Sequence, residues 1–147
     1  MTSIIFFAWA LAAITVVVHA IGLALILKAL ARLETLHIHR LWAIINRLVW
    51  VACYLILLHM SEISIWGMFY LWQKCLPDIE TAFYFSGVTY ATIGYGDVTL
   101  AKPWRLFGPT EGLIGILMCG LSTGFFFAVV NHIYQIVHSK AENDHKS

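Results

Sequence analysis

Six consecutive residues stand out as able to act on something small: Thr92, Ile93, Gly94, Tyr95, Gly96 and Asp97. What they offer is oxygen. A cation surrenders its hydration shell only where oxygens of comparable number and field replace it, and backbone carbonyls contributed by several copies of one loop can do this. For successive carbonyls to face one axis, the backbone must take conformations that a Cβ resists, and Gly94 and Gly96 lift that restriction at alternate positions. The Thr92 hydroxyl can add an innermost ligand, Tyr95 can pack outward and hold the diameter, and Asp97 brings negative charge to the outer mouth.

Such a segment needs elements to hold it, and the composition says where they lie. The chain has 147 residues, of which 61% are hydrophobic and 12% charged, against about 25% charged in soluble domains. No Asp, Glu, Lys or Arg occurs from Met1 to Leu27, from Leu48 to Met60, or from Gly112 to His138. A helix needs about 20 residues to cross about 30 Å of hydrocarbon, so each gap marks a span. The pattern predicts helices from about Thr2 to Ala31, Arg40 to Glu62 or beyond, and Pro109 to His138, with a shorter stretch from Asp78 to Thr92 that opens like a helix N-terminus and enters without crossing. Irregular backbone at membrane depth survives only when protein buries it or a water-filled cavity receives it. Thr92 to Asp97 is therefore expected to line a pore.

The first twenty residues, ending in Val18-His19-Ala20, imitate a signal peptide, but they lack a basic start and the apolar run continues, so they read as a retained helix. Lys28, Arg32, Arg40 and Arg47 against Glu34 place the first linker in the cytoplasm, which sets the N-terminus outside and the C-terminus inside. Trp66, Tyr70, Trp72 and Trp104 read as an external aromatic belt, Trp42 and Tyr134 as an internal one, and Ser139–Ser147 as a short frayed tail. A net charge of +1 with no long basic run excludes a polyanion-binding arm, hence a nucleic-acid partner. Cys53, Cys75 and Cys119 have no metal-type spacing; Cys75, in the external loop, reads as a free thiol or an intersubunit disulfide.

Thr92-Ile93-Gly94-Tyr95-Gly96-Asp97 resembles the selectivity filter of the potassium channel superfamily, and Thr81 to Thr92 resembles its pore helix. The resemblance covers about residues 40–138 and is nearest to small bacterial ion-channel proteins with one pore loop, here with an extra N-terminal helix (1–31), a linker (32–39) and a tail (139–147). It implies an all-α membrane protein with three transmembrane helices, a re-entrant pore helix and a filter, assembled as a homotetramer in the cell membrane, as in a bacterial inner membrane. The carbonyls of Thr92, Ile93, Gly94 and Tyr95 and the Thr92 hydroxyl would then bind potassium, with no enzymatic activity and no cofactor. A weakly selective cation channel and a non-conducting accessory subunit are the alternatives. Val88 stands nine residues before Asp97, where some relatives carry a glutamate that pairs with the aspartate. No voltage-sensor arginine repeat occurs, and no regulatory domain is expected after His138.

Other residues carry two readings each. His59 and Glu62 share a helix face within or near the bilayer, which suits proton sensing or support of the filter, while two ligands fall short of a metal site. Gly115, Gly120 and Gly124 read as gating hinges or as close-packing positions. Phe126 and Phe127 read as a hydrophobic gate or as lipid-facing and core residues. Glu111 is expected only to favour the positive end of the last helix's dipole.

Overall fold

The computed structural model describes residues 2–33 and 41–144. Among them all regular structure is helical: α1 (Thr2–Leu33), α2 (Leu41–Trp72), α3 (Ile79–Tyr90) and α4 (Phe107–Asp144), the last entered through a 3-10 turn at Trp104–Leu106. Three segments, Ile4–Arg32, Leu41–Trp72 and Trp104–Ser139, are long and apolar enough to cross a membrane. At about 1.5 Å per residue, α3 is about 18 Å long and cannot cross. The linker expected at 32–39 lies largely outside the described residues. The tail expected to fray from Ser139 is instead helical as far as Asp144, because Lys140-Ala141-Glu142 are good helix formers and nothing in that stretch stops the helix.

The stretch after Glu62 continues α2 without a break to Trp72. The chain then reverses through Lys74, at φ 53°, and the Cys75 amide donates to the Tyr70 carbonyl at 2.8 Å. Cys75 makes no disulfide within the chain, and burial pushes its thiol pKa up to about 11.

Helix α1 lies antiparallel along α2. Phe7 meets Phe69, Trp66 Nε1 donates to Thr15 Oγ1 at 3.0 Å, Tyr54 donates to the Gly22 carbonyl at 3.0 Å, and Ile26 packs with Val51 and Leu55. The same helix touches α4, where Phe125 and Phe126 join the Ile26 cluster. The main core gathers Leu11, Trp66, Phe69, Tyr70, Ala82, Phe85 and Phe107 from all four helices.

This core corrects the aromatic belt. Trp66 and Tyr70 are fully buried, because each finds a partner for its polar tip inside: Thr15 for the indole and Glu111 for the phenol. Trp104 turns its ring onto Phe69 and Phe107. Trp42, Trp72 and Tyr134 remain exposed.

Candidate functional site: a re-entrant helix and its glycine-rich exit

Helix α3 starts on a strong cap. Asp78 accepts from the Thr81 amide at 2.9 Å and from its hydroxyl at 2.8 Å, and these bonds hold the Asp78 carboxyl below the usual range. At the other end the last carbonyls are consumed by the chain that leaves. Gly87 accepts from Ala91, Thr89 from Thr92, and Val88 from both Ile93 (2.8 Å) and Gly94 (3.1 Å). The helix is thereby spliced to the segment that follows it.

That segment alternates in hand. Thr92, Gly94 and Gly96 have φ of 59°, 54° and 80°, while Ile93 and Tyr95 between them do not adopt positive φ. Glycine takes this conformation freely, whereas at Thr92 it carries strain that the Thr92 amide bond to Thr89 helps to hold. Alternation of hand turns successive carbonyls toward a common side. Ile93 (53% exposed) and Tyr95 (70%) find no cover within one chain.

Asp97 at the end of the segment accepts from Tyr84 at 2.6 Å and from the Val98 amide at 3.0 Å. Position 88 carries a valine, and the tether to Asp97 comes from Tyr84. The Tyr84 bond holds the Asp97 carboxyl below the usual carboxylate range, and the same bond raises the Tyr84 phenol.

Two buried carboxylates grip successive turns of α3. Glu111 of α4 accepts from Tyr70 at 2.6 Å and from Ser86 at 2.5 Å, with the Ile63 carbonyl 2.9 Å from the same Ser86 hydroxyl. Glu111 therefore does far more than favour a helix dipole. One turn later Tyr90 donates to Glu62 Oε2. Glu62 Oε1 lies 2.8 Å from His19 Nδ1, and His59 Nδ1 lies 3.1 Å from the Tyr90 hydroxyl and 3.4 Å from Glu62 Oε2. His59 and Glu62 are thus tied to the last residue of α3, and His19, Tyr90, Ser86, Tyr70 and Tyr84 join the set of positioning residues. Only His19 carried a signal in the sequence, as an ionisable residue within an apolar span.

Among the glycines of α4, a Cβ on Gly115 would collide with the backbone carbonyl of Tyr90, so this residue lets α4 close onto the end of α3. A Cβ on Gly120 or Gly124 would meet nothing within 4 Å. Phe126 packs on the cluster around Ile26, and Phe127 is exposed.

No curated protein and no solved structure was found to match this chain. A family model described as "Ion channel" matches residues 56–132, more than half of the 147. The match runs from within α2, through α3 and the glycine-rich exit, to His132 in α4. With this match, three spanning helices and a short re-entrant helix ending in alternating backbone, the chain belongs to the ion channel family.

Proposed function

We propose that four copies of this chain surround one axis and conduct potassium selectively and passively, each copy supplying the carbonyls of Thr92, Ile93, Gly94 and Tyr95 and the Thr92 hydroxyl. The observation that carries this reading is the alternation of hand at Thr92, Gly94 and Gly96 on the exit of a capped helix too short to cross. Rings of such carbonyls from four loops replace a potassium ion's hydration shell. The exposure of Ile93 and Tyr95 in a single chain supports assembly, since irregular backbone at membrane depth needs neighbouring protein to bury it. The C-terminus of α3 leads straight into Thr92, and its negative dipole end suits a cation at the inner mouth.

In this proposal α1 lies behind the pore and buttresses α2 and α4, while Gly96 and Asp97 close the outer end. The basic residues Lys28, Arg32, Arg40 and Arg47 set the linker in the cytoplasm, the N-terminus outside and the C-terminus inside, in a cell membrane. Gly120 and Gly124, with open space around them, are the hinge candidates, and exposed Phe127 is the gate candidate.

The test is ion flux from liposomes that contain the purified protein. Potassium is expected to pass, sodium and lithium to be excluded, and Gly94→Ala to abolish flux. Equal passage of sodium would replace this reading with a weakly selective cation channel. Silence across pH and voltage would favour a non-conducting accessory subunit.

A further inference from the structure

Behind the end of α3, His19 from α1 meets His59 and Glu62 from α2, and one ligand atom from each lies within 4.8 Å of the others. The sequence offered only two of these ligands on one helix face. Folding supplies the third from a position 43 residues before Glu62.

We propose that His19, His59 and Glu62 form a binding site for a first-row divalent transition metal, with zinc as the reference ion. Ligand atoms held tetrahedrally at about 2.0–2.2 Å from zinc lie about 3.3 Å apart. His19 Nδ1 lies 2.8 Å from Glu62 Oε1 and His59 Nδ1 lies 3.4 Å from Glu62 Oε2, so each imidazole faces its own oxygen of the carboxylate at close to that spacing, and small side-chain rotations bring all three groups onto one ion. Two imidazoles and one carboxylate are a donor set that zinc accepts, with a fourth position left for water. The outer partners are in place as well. Ser122 Oγ is 3.4 Å from His19 Nε2, so it can hold that nitrogen as a donor while Nδ1 turns its lone pair to the metal. The Tyr90 hydroxyl orients the carboxylate. Glu62 is fully buried and His19 nearly so, whereas the His59 side chain is 16% exposed and provides the way in.

The consequence is mechanical. A bound ion fastens α1 to α2, and through Tyr90 to the residue that precedes the glycine-rich exit. The three ligands come from α1 and α2 alone, so the site stands whether or not the pore selects potassium.

The test uses the full chain, purified, stripped with a chelator and titrated with zinc at neutral pH. One zinc per chain and a rise in Tm that the chelator reverses are expected. His19→Gln and His59→Gln, each shown by circular dichroism to be folded without metal, should weaken binding by more than the roughly 10–100-fold that an outer partner alone costs. His132→Gln and His138→Gln, outside the cluster, should bind as before. Absence of saturable binding, or binding that survives in folded His19→Gln and His59→Gln, would overturn the site. X-ray absorption of the zinc-loaded unsubstituted protein needs no variant: a shell of two imidazoles and a carboxylate is expected, and an all-imidazole or all-water shell would rule the proposal out.

Discussion

Glu111 and Glu62 are both fully buried, and both hold the same face of α3 one turn apart, at Ser86 and at Tyr90. They differ in their partners. Glu111 is surrounded by the neutral hydroxyls of Tyr70 and Ser86. Glu62 sits between Tyr90 and two imidazoles, one of them from a different helix. Hydroxyls neither change charge near neutral pH nor bind metals well, whereas imidazole does both. The Glu111 site holds α3 through hydroxyls alone, and the Glu62 site holds it through a hydroxyl and two imidazoles that a metal ion can engage.

Removing the carboxylates tests this contrast most severely. Glu62→Ala leaves His19, His59 and Tyr90 short of an acceptor, whereas Glu111→Ala leaves Tyr70, since Ser86 keeps the Ile63 carbonyl. At about 1–3 kcal/mol for each buried group left unpaired, both changes should lower Tm strongly, Glu62→Ala the more. Equal Tm losses would mean that His19 and His59 add nothing to the Glu62 site.

A backbone collision comes next. Gly115→Ala forces a Cβ against the Tyr90 carbonyl and should displace the end of α3, with loss of both Tm and flux. Gly120→Ala meets open space and should gain up to about 1 kcal/mol from helix propensity. If the two substitutions act alike on Tm, Gly115 has no special packing role.

The exposed Tyr84–Asp97 tether should give the smallest effect. The folded pKa of Asp97 lies below its ordinary value because Tyr84 donates to it. Its contribution is therefore complete above the ordinary carboxylate range and is lost as pH falls through the lowered pKa. In Tyr84→Phe the Asp97 titration, followed by carboxylate NMR, should move back up toward the ordinary value near 4. An unmoved titration would show that the tyrosine does not govern it.

What the sequence made legible was local. The glycine pair that frees the backbone at Gly94 and Gly96, the Asp78 start of α3 and the charge-free spans each depend on neighbours within a few positions, and each can be read from residue types alone. Contacts between helices were not legible. Tyr90 reaches Glu62 across 28 positions, and His19 reaches Ser122 across 103, and neither distance leaves a local pattern. Trp66 and Tyr70 were misplaced for the same reason, because a ring with a polar tip suits an interface belt as well as a core that contains Thr15 or Glu111. His19 was within reach, since an ionisable residue in an apolar span asks for a partner, yet nothing local said that the partner was Glu62.

The most direct test of the central claim is the reversal potential of the purified protein in a planar bilayer with potassium on one side and an equal concentration of sodium on the other. A potassium-selective pore predicts a strongly displaced reversal potential, with current carried from the potassium side at zero voltage. A reversal potential at zero, with current equal in both directions, would contradict the account.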